Sequence, residues 1–247
     1  MTAPLFFVSA DQLAGATAGS EIILDGSEGR HGATVKRIGV GELVLVSDGV
    51  GNRAEAVVES VGVGMLRLRL EAVTLERQPD SRFVLVQALA KGDRAEQAIE
   101  SATELGVDVV VPWQAARSIV VWRGERAVRS LRKWESVVLA ATKQSRRARV
   151  PTVSGLADHA AVLARIESAA LALVLHEDAQ QSLVGLALPD FGDVVVIVGP
   201  EGGVSPDELS AFLAAGAVAV RLGQNVLRSS SAGPAALAAL SAAGRWR

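Results

Sequence analysis

A run of five β-branched apolar residues leads into a loop that contains three glycines and one carboxylate. Residues 194–198 are V-V-V-I-V, residues 199–203 are G-P-E-G-G, and Ser205-Pro206 follows as a typical helix start. A strand that enters a glycine loop and then a helix lets backbone atoms approach a ligand at the carboxyl edge of a parallel sheet. The loop has neither the lysine of a P-loop nor the spacing of a dinucleotide fingerprint. The pattern predicts a ligand site without naming the ligand.

A second glycine loop, L-G-Q-N-V-L-R over residues 222–228, also follows a predicted strand and precedes a helix. Arg228 has no acidic neighbour in sequence. It is either a packing or surface arginine, or a fixed cation that stabilises negative charge developing in a reaction. Glu201 has two similar readings. Its carboxylate satisfies backbone N–H groups of its own loop, or it contacts a cofactor or accepts a proton.

Several classes of chemistry are excluded by composition. The chain of 247 residues is 49% hydrophobic and 21% charged and has no cysteine, which removes disulfides and thiol nucleophiles. His31, His159 and His176 are too far apart for a paired-histidine motif, so no metal site is predicted. The N-terminus lacks a signal-peptide pattern, and no apolar run reaches 18 residues. We expect a soluble, cytoplasmic protein that does not enter a membrane.

Positive charge is concentrated in the middle of the chain. Residues 81–150 hold 13 Lys and Arg against 7 Asp and Glu, although the whole chain has a net charge of −2. Ten of these basic residues lie between positions 117 and 149, where only Glu125 and Glu135 oppose them. This excess indicates a polyanionic partner, because each neutralised phosphate releases counterions. A solvated helix face is the alternative.

Two patterns of secondary structure divide the chain near residue 73. Strands are predicted at 5–8, 21–24, 42–47, 53–60 and 65–72, with one helix at 29–38 whose Val35 and Ile38 face inward. This indicates a small antiparallel barrel or sandwich. Strands at 83–88, 107–112, 170–175, 194–198 and 217–222 then alternate with helices at 93–105, 126–144, 207–214 and 232–243. That alternation predicts an α/β fold with a mostly parallel sheet.

The motifs together resemble the RsmE family of SPOUT-class methyltransferases, which act on uracil N3 in small-subunit ribosomal RNA. Besides G-P-E-G-G with Ser205 and Glu208, and L-G-x-x-x-L-R at 222–228, the resemblance rests on five further segments in order along the chain. They are H-x-x-x-V-K-R-I at 31–38, K-G-D-R-A-E-Q-A-I-E-S-A-T-E-L-G-V at 91–107, P-x-x-x-x-R-S at 112–118, R-K-W-E at 132–135, and K-Q-S-R-R at 143–147 with V-P at 150–151.

The resemblance implies a PUA-like β-barrel that binds RNA at residues 1–73, and a SPOUT domain with a C-terminal trefoil knot at residues 74–247. It also implies S-adenosylmethionine as cofactor, 16S ribosomal RNA of the small subunit as substrate, and a homodimer. Arg228 and Glu201 are the catalytic candidates. The implied cofactor residues are Leu175, His176, Glu177, Gly199, Pro200, Glu201, Gly202, Gly203, Leu222, Gly223, Val226 and Leu227.

The RNA-binding candidates combine the basic segment with one tryptophan that is suited to base stacking. They are His31, Lys36, Arg37, Arg117, Trp122, Arg123, Lys143, Arg146 and Arg147. Trp134, at helical spacing, is predicted to be core.

The chain departs from the family at one position. Many members have Glu where this chain has Ser230, so a carboxylate base at that position is not available here. Two other functions remain open: a SPOUT methyltransferase for another RNA target such as a ribose 2′-hydroxyl, and a non-catalytic RNA-binding ribosome assembly factor.

Overall fold

The computed structural model describes residues 3–246, which form two compact units. The first unit contains the described residues up to Gln78 together with Thr142–Val150. The second unit contains Pro79–Ala141 and the described residues from Pro151 onward. The basic segment found in the sequence is therefore shared between the two units.

The first unit is built on a five-stranded sheet whose strand order is β1-β3-β4-β5-β2. Its strands are β1 (Leu5–Phe7), β2 (Glu21–Leu24), β3 (Leu43–Ser47), β4 (Asn52–Gly62) and β5 (Met65–Leu75). The β1–β3 pair is parallel and the other pairs are antiparallel. Within residues 3–246 the edge strands β1 and β2 do not pair with each other, so the predicted barrel is not closed. Leu13 of the short helix α1 (Ala10–Leu13) packs in the same buried cluster as the strands.

The predicted helix at 29–38 is replaced by two shorter elements. An α-helix, α2 (Gly26–Arg30), continues as a π-helical turn over His31–Val35. Ile38 is buried as expected, but the inward position of Val35 is wrong, since this side chain is 66% exposed. A π turn holds more residues than an α turn, so side chains after His31 rotate away from the face predicted for a regular helix.

Thr142–Val150 is attached to the first unit by several polar contacts. The Ser47 hydroxyl donates to the carbonyl oxygen of Ala148 (2.9 Å), and the backbone N–H of Val150 donates to the carbonyl oxygen of Gly49 (2.8 Å). Lys143 pairs with Glu28 at 2.5 Å. These contacts join positions that are about 100 residues apart in sequence, so local pattern does not predict them.

The second unit contains a seven-stranded sheet in which every pair of neighbouring strands is parallel. The strand order is β10-β12-β9-β11-β6-β7-β8. The strands are β6 (Ser81–Ala88), β7 (Val109–Trp113), β8 (Thr152–Val153), β9 (Leu171–Leu175), β10 (Gln181–Ser182), β11 (Gly192–Val198) and β12 (Val218–Arg221). The predicted α/β fold with a parallel sheet is confirmed.

Helices cover both faces of this sheet. They are α3 (Arg94–Glu104), α4 (Gly124–Ser145), α5 (His159–Ser168), α6 (Pro206–Ala214) and α7 (Ser229–Gly244). Phe212 of α6 and Val162 of α5 pack in a buried cluster with Val195 and Ile197 of β11. On the other face, α7 approaches so closely that a Cβ at Gly233 would lie 2.9 Å from the Leu85 side chain. Helix α5 and the short strands β8 and β10 were not predicted.

The C-terminal end of the second unit is held by Arg245. Its guanidinium donates to the carbonyl oxygens of Gly106 and Ser81 (both 2.6 Å) and to the Asp108 carboxylate (2.5 Å). It also stacks 3.7 Å from the centroid of the Phe83 ring. The Arg245 and Asp108 side chains are 21% and 10% exposed, so this pair is largely withdrawn from water.

We expect Arg245→Ala to lower the free energy of unfolding by about 3 kcal/mol, because it removes a charge-assisted hydrogen bond to the mostly buried Asp108 carboxylate and two hydrogen bonds to backbone carbonyl oxygens. Urea unfolding measures the change. The exposed Arg126 is the matched control, and Arg126→Ala should change stability by less than about 0.5 kcal/mol. Equal stability of the two variants would show that the Arg245 contacts do not hold the C-terminal segment.

Candidate functional site

Three loops meet at the carboxyl edge of the parallel sheet in the second unit. They follow β9, β11 and β12, which are close in the sheet because β9 lies between the other two. Together they line most of a pocket of about 790 Å³. Strands β9 and β12 end in register, with Val220 opposite Leu175, and Ile197 near the end of β11 lies opposite Val174. Parallel strands deliver their following loops to the same edge, which is where α/β proteins bind ligands.

The pocket brings together all of the predicted cofactor residues and both catalytic candidates. Its lining includes Leu175, His176, Glu177, Gly199, Pro200, Glu201, Gly202, Gly203, Leu222, Gly223, Val226, Leu227 and Arg228. Of the RNA-binding candidates, Arg117 also lines it. Three lining residues were not predicted and carry charge: Arg94, Asp178 and Arg221. The assignment of these residues to a cofactor stays a prediction.

The glycines of the β11 loop allow tight backbone packing. A Cβ at Gly199 would lie 3.0 Å from the backbone nitrogen of Val204 and 2.9 Å from its side chain. A Cβ at Gly202 would lie 3.3 Å from Cβ of Arg117. Gly203 has a φ of +72°, a conformation that strains residues with a side chain. The loop therefore presents backbone, with few side chains, to the pocket.

Glu201 connects the β11 loop to the segment that precedes α3. Its Oε1 accepts hydrogen bonds from the backbone N–H of Lys91 (2.9 Å) and from the Arg94 guanidinium (3.0 Å). Burial alone would raise the pKa of Glu201, but hydrogen bonds from its own backbone N–H, from Lys91 and from Arg94 outweigh it and lower the pKa below the ordinary 4.5. A carboxylate with a lowered pKa is a weak proton acceptor. The geometry favours the reading in which Glu201 satisfies backbone N–H groups.

Helix α6 begins with the capping box that the sequence indicates. The Ser205 hydroxyl accepts from the backbone N–H of Glu208, while the Glu208 carboxylate accepts from both the backbone N–H and the hydroxyl of Ser205. Pro206 occupies the first turn. This start fixes the direction in which the chain leaves the glycine loop.

Arg228 is the residue that immediately precedes α7, and its side chain is exposed at the pocket. Within residues 3–246 no carboxylate pairs with it. Its cation is therefore available to an incoming ligand. Ser230 is half-buried in the first turn of α7.

The RNA-binding candidates are distributed over both units. Those of the first unit are His31, Lys36, Arg37, Lys143, Arg146 and Arg147, and those of the second are Arg117, Trp122 and Arg123. Lys36, Arg37, Arg117 and Arg123 are exposed. His31 packs edge-on against Phe6 with ring centroids 6.1 Å apart.

The structure does not support Trp122 as a base-stacking platform. Its side chain is 8% exposed and packs edge-on against Trp134, with ring centroids 5.3 Å apart. A base needs an open ring face, which burial removes. The prediction that Trp134 belongs to the core is confirmed, since it is 1% exposed.

Within the described residues, no group of three or more His, Cys, Asp or Glu side chains is placed to hold a metal ion. None of the helices in residues 3–246 combines the length and apolar character needed to cross a bilayer.

Comparison with known proteins identifies the family of this chain. Residues 76–241 match the family model described as an RNA methyltransferase domain. The chain is 46% identical to the ribosomal RNA small subunit methyltransferase E of Mycobacterium tuberculosis, over all of this chain and 94% of the relative. The chain belongs to the ribosomal RNA small subunit methyltransferase E family. The resemblance found in the motifs is thereby confirmed.

Solved structures of methyltransferases are similar to this chain. The small-subunit methyltransferase E of Neisseria gonorrhoeae, bound to S-adenosylmethionine, superposes with a TM-score of 0.83 at 26% identity, covering 98% of both chains. A Legionella pneumophila methyltransferase in complex with the same cofactor has a TM-score of 0.82 at 26% identity, also covering 98% of both chains.

We expect Glu201→Gln to remove a pH-dependent contribution to stability. The pKa of Glu201 is lowered in the folded protein, so its contribution is complete above the ordinary value of 4.5 and is lost as pH falls through the lower folded value. Thermal unfolding of wild type and Glu201→Gln should differ at pH 7 and converge toward pH 3. A difference that is constant from pH 7 to pH 3 would contradict this assignment.

Proposed function

We propose that this chain transfers a methyl group from S-adenosylmethionine to N3 of a uridine in 16S ribosomal RNA of the small ribosomal subunit. The observation that carries the proposal is the pocket at the ends of β9, β11 and β12, in a chain 46% identical over its full length to a small-subunit methyltransferase. The choice of uracil N3 rests on the family resemblance of the motifs.

The pocket fits the proposed cofactor by size and chemistry. Its volume of about 790 Å³ is in the range of cofactor sites. The tight packing at Gly199 and Gly202 provides a backbone cradle, and the acidic Glu177 and Asp178 at the rim suit a cationic ligand. When bound, S-adenosylmethionine supplies an electrophilic methyl group on a sulfonium.

Uracil N3 carries a proton and must lose it before it becomes a good nucleophile. The N3–H bond breaks, the N3–methyl bond forms as the sulfur–methyl bond breaks, and the proton leaves to solvent or to a base. Negative charge develops on the uracil carbonyl oxygens during this change. Arg228 is placed to stabilise that charge, because it is an unpaired cation at the pocket within the described residues. Glu201 contributes by holding the glycine loop.

We also propose the finer fold assignment, with a trefoil knot in the C-terminal part and a PUA-like, RNA-binding domain over residues 1–73 beside a SPOUT domain over 74–247. The strand order supports the knot. After β11 the chain continues to β12, which lies on the far side of β9, and it then returns as α7, which packs against β11 and β6.

The exposed Val226 and Leu227 beside the pocket support a homodimer that covers them. An RNA substrate in the ribosome would place the enzyme in the cytoplasm.

RNA contact in the second unit is supported by a group of arginines on the first half of α4 and just before it. Within residues 3–246 these side chains are exposed and make no ion pair: Arg123, Arg126, Arg129 and Arg132. The neighbouring Lys133, in contrast, pairs with Glu96 at 2.7 Å. Arg123 and Arg126 lie just before and within the first turn of α4, where positive charge is unfavourable for the helix dipole, so an anionic partner would relieve that cost. We refer to these four residues as the arginine group.

Arg228→Ala should reduce kcat on small ribosomal subunits by about 10²–10³-fold, the loss expected for one donor that stabilises developing charge. Subunits from cells that lack this gene are incubated with S-adenosylmethionine, and 3-methyluridine is measured by nucleoside mass spectrometry. Cofactor affinity and melting temperature should stay close to wild type, as they should in the control Arg77→Ala, which changes an exposed arginine outside the pocket lining.

Other outcomes of this experiment would replace the proposal. A methyl group on a ribose or on another base from the wild-type protein would show a different RNA target. Cofactor-independent RNA binding without any methyl transfer would indicate an assembly factor. Full activity of Arg228→Ala would remove Arg228 from the mechanism.

Changing two members of the arginine group, Arg126→Ala with Arg129→Ala, should weaken RNA binding and make it less sensitive to salt. The slope of log K against log salt concentration should fall by about 0.7–0.9 for each phosphate that the protein no longer neutralises. Filter binding to 16S ribosomal RNA at several salt concentrations measures this. The control is Arg77→Ala, an exposed arginine outside the basic segment. An unchanged slope would mean that the arginine group is only a solvated helix face.

A further inference from the structure

Glu208 is a buried carboxylate with more contacts than its helix requires. It is 5% exposed, and within the described residues no lysine or arginine forms an ion pair with it. Its Oε2 accepts from the hydroxyl of Ser205 (2.8 Å) and from the Ser205 backbone N–H (3.0 Å), which completes the capping box of α6. Its Oε1 accepts from the backbone N–H of Ala116 at 2.7 Å.

The hydrogen bond from Ala116 explains why the Glu208 carboxylate is buried. A capping box uses a carboxylate that can remain in water, and burying a charged group without a cation is costly. The Ala116 hydrogen bond joins α6 to the loop after β7, which lies 92 residues earlier in the chain. Both carboxylate oxygens are thus engaged, one for the helix start and one for the neighbouring loop.

The loop that Glu208 holds carries Arg117 to the pocket. The Arg117 guanidinium donates to the carbonyl oxygen of Gly202 (3.0 Å), and its side chain covers the open face of that glycine. The loop after β7 is therefore fastened at two consecutive residues, Ala116 by Glu208 and Arg117 by Gly202. Arg117 itself is exposed and lines the pocket, so its other N–H groups are accessible to a ligand there.

We propose that Glu208 is a positioning residue that fixes Arg117 at the pocket entrance, where the guanidinium binds a phosphate of the RNA strand beside the target nucleotide. The inference rests on the proposed function, because it assumes that RNA enters this pocket. A guanidinium suits this role, since it donates to a phosphate with several N–H groups in one plane. Glu208 does not touch the substrate. It acts by holding the backbone of the Arg117 loop.

Glu208→Gln is the sharpest test, because it keeps the size of the side chain and replaces one acceptor oxygen with a donor. Glutamine is accepted in a capping box, but it cannot accept on both sides. We expect KM for small ribosomal subunits to rise about tenfold, as for the loss of one charge-assisted hydrogen bond, with kcat and S-adenosylmethionine affinity changed less than about twofold. Arg117→Ala should raise KM by a similar factor.

Ser205→Ala is the matched control. It removes the hydroxyl from the capping box but leaves the Glu208–Ala116 hydrogen bond, so it should lower the melting temperature without raising KM. The double variant Glu208→Gln with Arg117→Ala should have the same KM as Arg117→Ala alone, because both changes remove the same interaction with RNA. If Glu208→Gln lowers the melting temperature as Ser205→Ala does and leaves KM unchanged, Glu208 is a helix cap only and the proposal fails. Additive effects in the double variant would also overturn it.

Two further measurements keep the test decisive. Glu208→Asp retains the charge at the start of α6 but shortens the side chain by about 1.5 Å, so it should also raise KM if Glu208→Gln does not fold. Filter binding to 16S ribosomal RNA measures the interaction of Arg117 with RNA without requiring methyl transfer. A wild-type protein that binds RNA but transfers no methyl group would contradict the proposed function, whereas weaker binding by Glu208→Gln and Glu208→Asp would still support the positioning role. Unchanged RNA binding and KM in both variants would contradict the proposal that Glu208 positions Arg117.

Discussion

The site depends on the parallel arrangement of β9, β11 and β12, which brings three loops to one edge of the sheet. Strand β11 lies between β9 and β6, and its residues from Val194 to Ile197 have no exposed surface. A buried strand of this kind is held by ladder hydrogen bonds on both sides, so the loop that follows it starts from a fixed point. The glycine loop can then come close to its neighbours, because it has little side-chain volume of its own. The strands hold the start of the loop in a fixed position, and the glycines let the loop pack closely against its neighbours.

Carboxylates and guanidinium groups have different roles around the pocket. Glu201 and Glu208 use their oxygens within the protein, the first to hold Lys91 and Arg94 and the second to hold Ala116. Each therefore joins the segment after β11 to another loop. Arg228 keeps its cation free within the described residues and exposed to solvent. Engagement of Glu201 and Glu208 within the protein, with the Arg228 cation left exposed, suits an anionic substrate on the Arg228 side of the pocket.

The sequence predicted the pocket well because its determinants are local. A strand, a glycine loop and a helix start are consecutive in the chain, and the parallel sheet is enough to bring such loops together. Features that depend on distant partners were not predictable in this way. Trp122 is buried because Trp134 packs against it, and the β7 loop is placed by a carboxylate 92 residues away. The five-stranded sheet was predicted strand by strand, but pairing between its edges is not a local property, and the barrel is not closed within residues 3–246.

The basic segment is evident from the sequence, but its side chains differ in how free they are to bind an anion. Lys133 and Lys143 are paired with Glu96 and Glu28, and the Arg149 guanidinium donates to a backbone carbonyl of the first unit. These contacts use positive charge to hold each unit together. The arginine group keeps its charge exposed and lies in the second unit, the same unit that contains the pocket. A polyanion would therefore meet exposed, unpaired arginines on the unit that carries the pocket, within the part of the chain that the structure describes.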